Sequence, residues 1–315
     1  MVQLKIYPMK KTSILYVLLV LVLFQTSCKK FVEGYDVSPN DPIDVNEEVL
    51  LTGTQVATFS NYSGNLARIP AILTNQLSGR QFQFEDFQEY IIRESSVDEE
   101  FKQLYNAGMV NAQQLIEKAG DANKYYRGIG RVLKVMNLGL ATDFWGDVPN
   151  SQALKGLEGE TAFNPAYDAQ ENILRDIQST LDLAIQDLSS APDDNLRVPG
   201  EDDMMFGGQI AKWRNIARVL KARYYNRLSK RDPAASANQA LNILSDAYAD
   251  GFDNLPDNAE DTRADFDDMM IFTGQAANEW NQWYAFEQQR AGYLTGNQFL
   301  IDLLAGDPRL PLYVS

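Results

Sequence analysis

No catalytic set that depends on histidine can be assembled from this chain, because its 315 residues include no His and a single Cys, Cys28. Ser-His and Cys-His nucleophile systems and zinc centres are excluded on that ground. Carboxylates are plentiful, 43 Asp and Glu in all, but a glycosidase needs one facing pair, and so many acids single out none. Gly207-Gly208 stands without the lysine spacing of a phosphate-binding loop. Asp253, Asp257, Asp261 and Asp265 lie in an acidic stretch that would suit calcium in charge, yet the EF-hand spacing is missing and the stretch reads as a solvated loop. The chain is expected to be no enzyme and to carry no metal and no cofactor.

Binding chemistry is better supplied. A sugar ring presents C–H faces that stack on aromatic rings and hydroxyls that bond to amides, carboxylates and guanidiniums. Two irregular segments offer that mixture. Between Ser78 and Ser96 stand Arg80, Phe82, Phe84, Phe87 and Tyr90, and from Trp280 to Tyr293 stand Trp280, Asn281, Trp283 and Tyr284. Phe82, Phe84, Tyr90, Trp280, Trp283 and Tyr284 are the candidate stacking residues, with Arg80 and Asn281 as polar partners. For each ring the competing reading is core packing between helices.

The elements that must hold these segments are helical. Apolar residues recur at helical spacing after Asn46 (Val49, Leu50, Val56, Phe59), with Gly53, Gly64 and Pro70 interrupting before Leu77. They recur again from Val97 to Ala119, with Ser95 or Ser96 as cap, and from Asn123 to Phe144 beyond a Gly120-Asp121-Ala122 turn, which predicts a helical hairpin. Pro165–Ser190 repeats the pattern through Ile173, Ile177, Leu181, Ala184 and Leu188. The stretch from Phe206 to Asp232 does so through Trp213, Ile216, Ala217, Leu220, Tyr224 and Leu228, with Lys221, Arg223, Arg227, Lys230 and Arg231 toward its C-terminal end. One more helix follows over Ala234–Asp250. No stretch shows sustained apolar/polar alternation, so the predicted class is all-α.

The front of the chain reads as an address. Lys10 and Lys11 precede an apolar run from Ile14 to Phe24, about half the roughly 20 residues a membrane-spanning helix needs, and a small-residue exit leads to Cys28. Residues 1–27 are expected to be a lipoprotein signal peptide and Cys28 the lipidation site. Residues 28–46, rich in Pro, Asn and Asp, are expected to be a flexible tether, and residues 47–315 the helical domain. A net charge of −15 disfavours nucleic acid as partner.

Three passages carry a family resemblance. Phe206, Gly207, Gly208, Lys212 and Trp213 resemble the Phe/Tyr-Gly-Gly-x-x-x-Lys-Trp signature of the SusD/RagB-like outer-membrane nutrient-binding lipoproteins, with Gln209 where Asp is usual and Arg218 where Asn is frequent. Asp143-Phe144-Trp145-Gly146-Asp147-Val148-Pro149 resembles a second element of that family, with Asn150 in place of an aromatic. The passage from Ala277 to Pro311, closing on Asp307-Pro308-Arg309-Leu310-Pro311, resembles a third. The resemblance implies degenerate tetratricopeptide-like hairpins with long irregular loops and a lipid anchor in the outer membrane at the cell surface. It also implies a nutrient ligand, most often an oligosaccharide or polysaccharide, and delivery to a SusC-like TonB-dependent transporter. It further implies chain beyond Pro311, so the sequence is expected to be incomplete at its C-terminus. The alternative classes are a tetratricopeptide-like envelope scaffold that binds no small ligand, and a lipid-anchored helical glycosidase.

Overall fold

The first helix begins where the sequence supplies a cap: Asn46 Oδ1 accepts the Val49 N–H at 3.0 Å, and Glu47 and Glu48 lie in the first turn, at the positive end of the dipole. The computed structural model describes residues 45–156, 159, 163–249 and 280–310. The signal, the tether, Cys28 and the acidic stretch with Asp253, Asp257, Asp261 and Asp265 lie outside them. Helix α1 (Glu47–Ser63) is followed by α2 (Asn65–Leu73), β1 (Leu77–Gly79), α3 (Gln83–Gln88), α4 (Asp98–Gln103), α5 (Val110–Ala119) and α6 (Lys124–Trp145). Next come β2 (Val148–Pro149), β3 (Tyr167–Asp168), α7 (Gln170–Asp187), α8 (Ile210–Asn226) and α9 (Pro233–Ala249). Beyond residue 279 lie α10 (Gln282–Gln289), β4 (Leu294–Gly296) and α11 (Gln298–Leu303). The described residues form an all-α architecture, with β1 paired to β4 and β2 to β3 as its only sheets. Strands this short leave no alternation in the sequence.

Helix α6 is the hub. Nearly every residue from Tyr125 to Thr142 is buried, as expected of a helix covered on all sides, and it packs on α1, α5, α7 and α8. Gly139 lets Tyr224 of α8 lie against its backbone. The predicted faces of α7 hold: Ile173, Ile177, Leu181 and Ala184 are fully buried and Leu188 is 1% exposed.

Four sequence expectations are corrected. In α1, Val49 (58%) and Val56 (39%) face solvent, and the buried face mixes Leu50 and Leu51 with Glu47, Thr54, Gln55 and Thr58. Thr54 and Thr58 turn their hydroxyls onto carbonyls one turn back, and Gln55 bonds Asp203, so these groups are buried without loss of hydrogen bonds. The helix expected from Val97 runs unbroken to Ala119 but is not α throughout: a π-helical turn, Leu104–Met109, joins α4 to α5. There Gly108 presses on the Asn137 side chain of α6, whose amide bonds Thr58 Oγ1 and Leu133 O and whose oxygen accepts from Asn61. Ser95 and Ser96 do not cap that helix, because Ser96 Oγ accepts the Arg93 N–H at 3.1 Å instead and Val97 takes the cap position without a side-chain bond. The helix expected from Pro165 starts at Gln170. The Asp168 carboxylate accepts from Asn150 N, Ser151 N and Ser151 Oγ, which holds Tyr167–Asp168 extended against Val148–Pro149.

Two signature passages prove to be joints of the scaffold. Asp147 Oδ1 accepts the Gln170 N–H at 2.9 Å and so caps α7 from the loop after α6. Trp145 is half-buried beside Phe101, edge-on at 5.1 Å. Ahead of α8, Gly207 and Gly208 adopt φ of 55° and 80°, a conformation that favours glycine. Trp213 is fully buried and meets Phe206 edge-to-face at 5.3 Å. Gln209 caps α8 with no side-chain bond; the loop is closed instead by Asp203.

Candidate functional site

The two aromatic segments, some two hundred residues apart in sequence, meet on one surface. Leu77-Ser78-Gly79 pairs antiparallel with Leu294-Thr295-Gly296, Ser78 opposite Thr295. The pairing continues as Arg80 N donates to Tyr293 O at 2.9 Å, and Tyr293 N donates in turn to Arg290 O at 3.2 Å. Phe82 then lies on Tyr293 with ring centroids 5.1 Å apart and an interplanar angle of 25°. Arg80 Nε donates to Thr295 Oγ1 at 3.1 Å.

Beneath this stack is a small core of Ile69, Ile72, Phe84, Phe87, Phe286 and Leu294. Phe84 meets Phe87 and Phe286 edge-on at 5.8 and 5.0 Å, and Phe286 meets Tyr293 at 6.0 Å. Arg68 lays its guanidinium over Phe286, 4.6 Å from the ring centre, and bonds Asn65 Oδ1 and Gln282 O. Burial pushes the Arg68 pKa down, opposed by the Glu100 charge and aided by that of Arg290.

The candidate residues separate on this geometry. Phe84 is 1% exposed, so its proposed stacking on a ligand is corrected: both its neighbours and its burial make it a core ring. Phe82 and Tyr90 are 68% and 66% exposed, and each sits at a positive φ, 52° and 61°. The Phe82 backbone, with ψ at −135°, lies where a side chain costs about 1–3 kcal/mol. Asn281 Oδ1 accepts the Trp283 N–H at 2.8 Å and caps α10, so that oxygen already has a donor. Trp280 and Tyr284 meet edge-on at 5.3 Å. Trp283 is half-buried in the wall of a groove of about 750 Å³, together with Leu77, Leu294, Thr295, Leu300 and Arg309. Tyr293, Thr295 and Arg290, not among the sequence candidates, also lie on this surface. The usable signal was the pair of like tripeptides, Leu77-Ser78-Gly79 and Leu294-Thr295-Gly296.

The strain at Phe82 gives a test of its own. Phe82→Gly should leave thermal stability unchanged or raise it by about 1 kcal/mol, because glycine accepts that backbone without penalty. A clear fall in melting temperature would show that the ring is a structural member.

Residues 39–315 match the SusD-like family model described as starch-binding and associating with the outer membrane. The chain belongs to the SusD-like family. Among solved structures, this SusD-like chain is similar to a SusD/RagB family protein from Bacteroides thetaiotaomicron, 27% identical with a TM-score of 0.70 over 84% of this chain and 53% of that one. It is also similar to a chitin-binding protein, 23% identical, TM-score 0.66, covering 85% and 54%. A SusD homologue from Bacteroides fragilis is similar in fold, 19% identical, TM-score 0.56, covering 85% and 52%. No curated protein matches the sequence. The chain spans about half the length of the solved structures it matches. No helix among the described residues is long and apolar enough to cross a membrane.

Proposed function

We propose that this chain binds a nutrient glycan on the Phe82–Tyr293 surface and delivers it, from a lipid anchor in the outer membrane at the cell surface, to a SusC-like TonB-dependent transporter. One observation carries the binding role. Phe82 holds a strained backbone while leaving its ring 68% exposed, and Tyr293 supports it from beneath at 5.1 Å. A strained, exposed aromatic supported from below is what a stacking platform for a sugar ring needs. The family's description as starch-binding and outer-membrane-associated, together with the chitin-binding protein of similar fold, supports the same reading.

Calorimetry of the purified chain against a panel of oligosaccharides is the direct test. Phe82→Ala should weaken binding by about 1 kcal/mol or more, roughly fivefold, with the melt unchanged. Cleavage of the oligosaccharides on prolonged incubation would favour the glycosidase instead, and failure of every oligosaccharide to bind would favour the scaffold.

Anchoring rests on the single Cys at the end of the signal-like segment. Cys28→Ala should move the protein from the membrane fraction to the soluble one, and incorporation of labelled fatty acid into the variant would refute the assignment. Recovery of a TonB-dependent transporter with the detergent-extracted protein is the corresponding test of the partner.

A further inference from the structure

With 43 acids against 28 bases, exposed cations have carboxylates to spare, and several of them are paired. Arg93 bonds Asp86, Lys102 bonds Glu99, Lys124 bonds Asp194 and Arg227 bonds Asp143. Arg223, Lys230 and Arg231 stand without an ion pair among the described residues, but Arg223 is in the last turn of α8 and the other two follow its C-terminal end, where the helix dipole itself favours cations. Around Tyr293, Arg290 has only the helix dipole behind it, as the C-cap of α10, and among the described residues Arg80 has neither an ion pair nor a helix end.

Arg80 is exposed and uses only Nε, on Thr295 Oγ1, which leaves the outer guanidinium nitrogens open. Arg290 is exposed, and among the described residues its guanidinium makes no ion pair; it rests 5.6 Å from the centre of the Phe286 ring. Arg68 lies over that same ring. Glu100 and Glu287 are the acids that act on Arg68, yet neither bonds it, and Glu100 takes the Asn65 amide at 2.6 Å instead. Three guanidiniums thus surround one aromatic cluster with no carboxylate bonded to any of them. Two of them, Arg80 and Arg290, flank the stack through the backbone bonds on either side of Tyr293. In a protein this acidic, guanidiniums left without a bonded carboxylate form a local positive patch that attracts an anion.

We propose that the Phe82–Tyr293 surface selects an acidic glycan, one whose sugar rings carry uronate carboxylates or sulfates, over a neutral one. This rests on the glycan-binding reading above. The ring faces stack on Phe82, while the free nitrogens of Arg80 and the Arg290 fork take the anionic groups, for which a planar guanidinium is the matched donor. Neutral hydroxyls use the same donors less well.

The test is a calorimetric comparison, at low and at moderate salt, of an oligogalacturonate, a sulfated oligosaccharide and a neutral galactose oligomer of equal length. At least one acidic ligand should bind about tenfold tighter than the neutral one at low salt, and the margin should shrink as salt rises. Arg80→Gln and Arg290→Gln should each erase most of that margin, and because both side chains are exposed, melting curves should match the parent. The two acidic arms tell carboxylate from sulfate recognition. Equal binding of neutral and acidic ligands without salt dependence, still lost in Phe82→Ala, would overturn the acidic preference and leave glycan binding standing. Binding of none of the three would overturn both.

Discussion

Asp203→Ala should lower the unfolding free energy by about 4 kcal/mol or more. Asp203 is 2% exposed, and its two oxygens gather five donors. Oδ1 accepts from Gln55 Nε2 at 2.7 Å, Met205 N at 3.2 Å and Phe206 N at 3.3 Å. Oδ2 accepts from Gly208 N at 3.0 Å and Trp213 Nε1 at 2.8 Å. Alanine leaves all five without their acceptor in a place water does not reach, and hydrogen bonds to a charged group are worth about 1.5–3 kcal/mol each. Asp203→Asn should cost nearly as much, because its amide group points two donors at donors whichever way it turns. Trp213→Phe removes one donor and keeps most of the ring, so it should cost only about 1–2 kcal/mol. Urea denaturation of the three variants checks the order, and a loss below about 1 kcal/mol in Asp203→Ala would show that the loop does not depend on this carboxylate.

The second large effect is expected at Gly79. It is the last residue of β1, opposite Leu294, and its N–H donates to Gln88 Oε1 at 3.1 Å. A methyl group there would run into the Phe84 carbonyl of α3. The obstacle is backbone, so no side chain can swing aside. Gly79→Ala should therefore push α3 off β1, draw Phe84 out of its core and cost about 3 kcal/mol, at the upper end of overpacking penalties. The loop that carries Arg80 and Phe82 lies between the two clashing residues, so oligosaccharide binding should be lost with it. Amide exchange should accelerate over residues 77–90 and 286–296 while the buried amides of α6 stay protected. Parent-like binding in Gly79→Ala would mean that the platform does not require β1 and α3 in contact.

These two positions differ in how visible they were. Gly207, Gly208 and Trp213 stood out as a motif, but Asp203, the group that organises them, did not. A carboxylate in a chain with 43 acids becomes conspicuous only when its burial is known. The resemblance passages pointed correctly to the family, and the structure shows why two of them are joints: one caps α7 through Asp147, the other seats Trp213 on Asp203. Neither brings a ligand-facing group to the Phe82–Tyr293 surface.

The helices of the hairpins were determined by the sequence itself, because a helix is stabilised by groups three and four residues apart, and Asn46, the α7 stripe from Ile173 to Leu188 and the α8 stripe around Trp213 are local patterns of that kind. The π-helical turn at Leu104–Met109 and the extended Tyr167–Asp168 were not, since each answers to a partner far along the chain, Asn137 in one case and the Asn150–Ser151 backbone in the other. The site belongs to the same class. Phe82 and Phe84 are two residues apart in an irregular segment with no period to sort them, and only the arrival of Phe286 and Tyr293 decides that one ring is core and the other is surface. Arg80 likewise joins the candidate surface only when β4, 215 residues on, brings Thr295 to it. Such contacts are decided by tertiary structure, because nothing local distinguishes an aromatic that will be covered from one that will be left open.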